Sequence, residues 1–169
     1  MATIFVVHRP REVPVYQGKA GRTITDDNVR DFWKANSDIA DRRGCYVFAI
    51  RAGKGLTPAY VGKATRSFRQ ETFSPHKLTR YQQFLADYRK GTPILFFLVA
   101  PSKKGALNAR HVKQLEDFLI QTGLAANPDL MNIKGTKAEE WGISGILRSG
   151  KGKPSAGARE FCRAMKLKG

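Results

Sequence analysis

Two tyrosines, two arginines and one misplaced acid are the side chains in this sequence with the spacing to do chemistry together. Tyr46 lies in GCYVFAI and Tyr60 in AYVGKATRSFR, fourteen residues apart, each near a glycine. A phenol can position water or hold an anion, but with a pKa of about 10 it is a poor base until nearby cations lower it. Arg66 and Arg69 follow the second tyrosine, and a guanidinium offers the fixed fork of donors that suits a phosphate. Lys63 directly follows YVG; contact with phosphate, a lowered tyrosine pKa and a plain solvated lysine all fit it. Glu116 is the acid. On a helix turning about 100° per residue, it falls about 40° from Val112, between Leu119 at about 340° and Ile120 at about 80°. A carboxylate among apolar residues needs a cation, a metal or a proton. It can reach water or an arginine at the edge of the stripe, or it can ligate a hard divalent cation through oxygen.

Positioning these groups requires particular elements. Cys45, Val47 and Ala49 alternate with Tyr46, Phe48 and Ile50, the period of a strand, and Ala59–Gly62 reads as a second strand after the turn-like RAGKGLT. Paired as an antiparallel hairpin, the strands put Tyr46 and Tyr60 on one face. A short helix is expected within ATRSFRQETF. Ser74-Pro75 starts another, with Leu78, Tyr81, Phe84, Leu85 and Tyr88 as its apolar stripe and Gly91 as its end. PILFFLVAP has the length and continuity of a buried strand. Asn108 caps the next helix, whose buried face is expected to hold Val112, Leu115, Phe118 and Leu119. Upstream, Val29, Phe32, Trp33 and Ile39 recur at helical spacing between Asp26 and Ala40, with Thr25 or Asp26 as cap. IFVV at 4–7 is a short strand candidate.

The resulting expectation is an α+β fold: a small central three-stranded, mainly antiparallel sheet flanked by helices. It divides into an N-terminal extension with an amphipathic helix (1–43), a central domain (44–133) and a basic Gly/Lys-rich tail (134–169).

Charge points to the partner. Lys and Arg number 30 against 14 Asp and Glu, a net charge of +16. Residues 133–169 alone carry 9 basic and 3 acidic side chains, a net of +6. A field of this size attracts polyanions, and nucleic acid is the commonest that fits. No stretch approaches the roughly 20 apolar residues of a membrane span. The N-terminus lacks the basic region of a signal peptide, and two distant cysteines read as free thiols in a reducing cytoplasm.

GCY, then YVG, then Arg69, then LEDFLI with Glu116, then Asn132, resembles in order the motifs of the GIY-YIG nuclease domain. Cys45 and Val61 replace the family's isoleucines, and the resemblance covers about residues 44–132. It implies a metal-dependent endonuclease hydrolysing phosphodiester bonds, with one Mg²⁺ or Mn²⁺ on Glu116; DNA is the favoured nucleic acid, and the choice between DNA and RNA stays open. It further implies that Arg69 braces the phosphate. Tyr46 positions or deprotonates water, Tyr60 holds the phosphate, and Asn132 orients Glu116 or the loop bearing the first strand. His76 either matches a family histidine or is a surface residue at a helix start. Arg66, Lys77, Arg80, Lys151 and Lys153 are the candidates for further nucleic-acid contact. A catalytically inactive or RNA-directed binding protein on the same fold is the alternative.

Overall fold

The computed structural model of the chain describes residues 3–88, 90–101, 107–132, 143–144 and 153–165. Met1–Thr136 form one compact unit and Lys137–Gly169 a second.

The first unit is built on an antiparallel sheet that contains a long hairpin, β5 (Gly44–Ala52) and β6 (Gly55–Ala64). The strands run further than their hydrophobic pattern suggested. Most of RAGKGLT is strand, and the turn shrinks to Gly53-Lys54, where Gly53 takes the left-handed conformation of a tight hairpin (φ 58°). A bulge between Phe48 and Ala49 accommodates Pro58, which has no N–H to give to a ladder. On its other side β5 pairs with β7 (Thr92–Val99). Here the expectation of three strands needs correction, because the sheet has five. β1 (Val6–Val7) and β2 (Arg11–Glu12) both pair with the far edge of β7. A separate hairpin, β3 (Tyr16–Gly18) and β4 (Gly21–Thr23), follows.

Helices cover both sheet faces. α1 (Asp26–Ala35) starts at Thr25, whose side chain accepts from the Asn28 N–H while Asn28 reaches back to the Thr25 N–H, a reciprocal capping box. α2 (Ser37–Ala40) and α3 (Phe68–Glu71) are single turns. α4 (Pro75–Asp87) starts at Ser74-Pro75, and α5 (Ala109–Ala126) starts at Asn108, whose side chain accepts from the His111 N–H. The even-numbered residues of β5 meet α1, α3 and α4 in the main core. Phe48 stacks on Tyr81 with ring centroids 4.1 Å apart, and Phe68 packs edge-on to Phe97. Val13, Ile24, Phe32, Trp33 and Ile39 belong to this same core, so residues upstream of 44 pack together with the hairpin. On the opposite face, α5 lays Ile120 against Val61 and Val47. Phe118, expected on its buried side, is 63 % exposed.

In the second unit, α6 (Ala156–Met165) is capped by Ser155. Lys153 precedes it in an exposed segment, and Lys151 lies outside the described residues. No described helix is long and apolar enough to cross a membrane.

Candidate active site

β6 is the edge strand, with α4 on one face and α5 on the other. Side chains alternate along a strand, so Tyr60 points toward α4 and Lys63 toward α5. Around this edge lies a cleft of about 350 Å³ lined by Tyr60, Lys63, His76, Arg80, Lys113, Glu116, Ile120 and Asn132. Helical spacing explains the two walls. His76 and Arg80 are one turn apart on α4, and Lys113, Glu116 and Ile120 follow one stripe of α5.

Glu116 is 15 % exposed and is held by lysines. Lys63 Nζ donates to its Oε2 at 2.9 Å, and Lys113 Nζ stands 3.8 Å from the same oxygen. Lys113 also pairs with Asp117, which raises its pKa. Sequence reasoning missed Lys113, although its signal was available as a lysine three and four residues before two acids on a helix. Arg80 Nη1 donates to the Met131 carbonyl at 2.8 Å; a guanidinium carries five donors, so this anchor leaves others for an anion. His76 Nδ1 lies 3.4 Å from Ser74 Oγ. Asn132 does not orient Glu116. Its amide instead closes both backbone groups of Val61, accepting from the N–H at 2.9 Å and donating to the carbonyl at 2.8 Å. Together with Asn127 on the Pro58 carbonyl and the Met131 N–H on that of Ala59, it seals the outer edge of β6.

The two tyrosines share a face as expected, but not an environment. Tyr46 is wholly buried, packed against Phe68 and Phe97. Its ring lies over Gly62, its cross-strand partner; a Cβ on Gly62 would come within 2.8 Å of Cε2 and closer still to Cζ and the hydroxyl. The glycine of YVG is therefore the seat of the tyrosine of GCY. Gly44 has its own reason. At φ 147°, a Cβ there would run into the Leu98 carbonyl oxygen. Burial, with Tyr81 and Tyr60 nearby, raises the Tyr46 phenol well above its ordinary pKa. The expected depression by neighbouring cations is not found; burial dominates the environment of this phenol. Burial and then Glu116 also raise Tyr60, against a smaller opposing pull from Arg80. Lys77 turns inward: it is 8 % exposed, its Nζ donates to the Glu71 carbonyl at 2.5 Å and lies over the Tyr46 ring, and burial lowers its pKa.

The arginines following YVG stand away from the cleft lining. Arg69 pairs with Asp41 at 3.5 Å on α3, and Arg66 is mostly exposed, 3.9 Å from Glu71. Glu71 instead gathers the backbone N–H groups of Thr65 and Arg66, fixing the turn after β6. The arginine that the fold brings to Glu116 and Tyr60 is Arg80. The hairpin places Tyr46 and Tyr60 together; the cleft unites Tyr60 with Lys63, His76, Arg80, Glu116 and Asn132.

Among the described residues no three His, Cys, Asp or Glu side chains gather as a metal-ligand group. Among the described residues that line the cleft, Glu116 is the one carboxylate. That donor set fits Mg²⁺ or Mn²⁺, which keep most of their waters and often use one or two carboxylates plus substrate phosphate oxygens. Zinc, which takes three or four protein ligands, does not fit. Among known proteins, no family model, no curated protein and no solved structure matches this chain.

Proposed function

We propose that this protein is a metal-dependent endonuclease that hydrolyses phosphodiester bonds in DNA, on a hairpin of the GIY-YIG type. The observation that carries the reading is the cleft itself, where one carboxylate, a phenol, an imidazole and three permanent cations meet at the edge of a strongly basic unit. A phosphodiester needs that mixture. Cations neutralise the growing charge on the phosphoryl oxygens, a base takes the proton of water, and a carboxylate recruits the metal. When bound at Glu116, the divalent cation supplies Lewis-acid stabilisation of the attacked phosphate and the leaving oxygen. Arg80 and Lys113 grip the non-bridging oxygens from opposite walls. Tyr60, which keeps its proton because burial raises its pKa, donates a hydrogen bond to the phosphate. His76 is the cleft group able to take a proton from the attacking water. Tyr46 and Lys77 act from beneath, fixing the hairpin and the start of α4. A cytoplasmic location accords with two free cysteines.

A second reading rests on an observation of its own. With Arg69 bound to Asp41 and Tyr46 buried, the chain is a binding module, DNA- or RNA-directed, that keeps the hairpin without the activity. One assay separates the two: plasmid and labelled single- and double-stranded DNA and RNA oligonucleotides, incubated with Mg²⁺, Mn²⁺ or EDTA. The endonuclease reading expects internal cleavage of DNA only with metal. Tight binding without cleavage in either metal leaves the binding module.

A further inference from the structure

The carboxylate that would receive the metal is already engaged. Lys63 Nζ and Lys113 Nζ both fall on Oε2 of Glu116, at 2.9 and 3.8 Å, and the acid is largely shielded from water. A divalent cation entering this position would stand beside an ammonium, and like charges at that range repel. A phosphate entering the same cleft has the opposite effect. It offers the lysines an anion at the cleft mouth, and Lys63, whose side chain is 36 % exposed, has a long flexible stem with which to follow it.

We propose that Lys63 is a lock on Glu116 that a nucleic-acid phosphate opens, so that metal and phosphodiester bind cooperatively and the free protein holds divalent cations weakly. The proposal rests on the endonuclease reading above and adds the order of assembly. Phosphate draws the Lys63 ammonium from Oε2, and the freed Glu116 carboxylate would then be available to hold a divalent cation beside the phosphate. No covalent bond changes in these steps. By linkage the coupling is reciprocal, so metal must tighten phosphate binding by the same factor as phosphate tightens metal. Lys113 plays a lesser part, because it is farther from Oε2 and is shared with Asp117.

Manganese binding to the full chain tests the lock without using activity. Free Mn²⁺ is followed by electron paramagnetic resonance, alone and with a short phosphorothioate-linked DNA duplex that resists hydrolysis. For the wild type, the duplex should tighten Mn²⁺ by roughly tenfold or more, within the usual range of coupling between sites. Lys63→Met keeps the stem and loses the charge. It should raise the Mn²⁺ affinity of the free protein by a similar factor and abolish most of the enhancement by duplex. Lys63→Arg should retain the wild-type pattern, and Lys113→Met should raise the Mn²⁺ affinity of the free protein far less than Lys63→Met does. A thermal melt confirms that each variant is folded. If Mn²⁺ binds the wild type and Lys63→Met equally well, with or without duplex, and Glu116→Gln removes it, the lock is wrong and the metal reading stands. If Glu116→Gln leaves Mn²⁺ binding unchanged in every setting, the metal assignment fails and takes the lock with it.

Discussion

Tyr46 and Tyr60 occupy matching places in one hairpin, and the register sends them to different tasks. Tyr46 faces Gly62, which leaves room for its ring to lie flat across β6 in the core. Tyr60 faces Phe48 and reaches the cleft beside Glu116. Two residues that look equivalent in sequence are thus a core anchor and a wall of the site. The lesson is that a motif glycine can matter through its partner across the sheet.

The sharpest way to break this division is at the shared acid. Glu116→Gln should lower cleavage by roughly 1,000-fold, the upper end for one group acting on the transition state, with a melt close to wild type. Wild-type cleavage by that well-folded variant would sink the metal assignment. The arginines come next. Arg80→Ala should cost about 100-fold in cleavage, whereas Arg69→Ala should cost less than about threefold, since an exposed ion pair contributes little. A reversed order in the same assay would return the catalytic role to Arg69.

The tyrosines themselves should separate by the quantity that moves. Gly62→Ala should destabilise the fold by about 1–3 kcal/mol, as overpacking does, read from a denaturant midpoint. Tyr46→Phe should cost about 1 kcal/mol and leave the activity of the folded fraction intact. Tyr60→Phe should do the opposite, leaving stability unchanged and lowering cleavage about tenfold through a lost hydrogen bond to charge. Cleavage abolished in Tyr46→Phe at wild-type stability would make Tyr46 a reacting group.

The smallest effect is on pH. Burial raises the phenols of Tyr46, Tyr60 and Tyr81 and pushes the Cys45 thiol up to about 12. Above about pH 9 for the thiol and 10 for the phenols, the unfolded chain loses protons that the native chain keeps. Their stabilisation is therefore complete below those values and falls as pH rises further. Lys77, lowered by burial, works with the opposite sign, its contribution being lost as pH falls. Unfolding midpoints followed from about pH 7 to 11 should decline at the alkaline end, more gently in Tyr46→Phe. A midpoint that stays flat there would contradict the buried phenols.

Much of this arrangement is written locally. Thr25 and Asn108 announce their helices because caps act within a few residues, Pro75 does so by fitting the first turn, and the alternation in GCYVFAI fixes which side chains share a face. Glu116 stands out because it interrupts a helical stripe. What was hidden depends on distant partners. β2 is two residues long, too short to show a period, and it is a strand because β7 offers an edge, while the IFVV candidate shortens to Val6–Val7. Phe118 follows the helical stripe yet faces solvent, since the width of the buried arc is set by what packs on α5. The place of Arg80 rather than Arg69 in the cleft is of the same kind: Asp41, 28 residues before Arg69, pairs with it, and the Met131 carbonyl, 51 residues after Arg80, anchors the other.

The seal along β6 has a last consequence, for how the molecule behaves in crowded solution. Sheets propagate when both borders present unpaired backbone. Here Asn127, Met131 and Asn132 cover the Pro58–Val61 stretch of one border, while the other ends in the short β1, with Val6 and Val7 exposed. Among the described strands of this sheet, backbone pairing between copies is therefore left mainly to the β1 border.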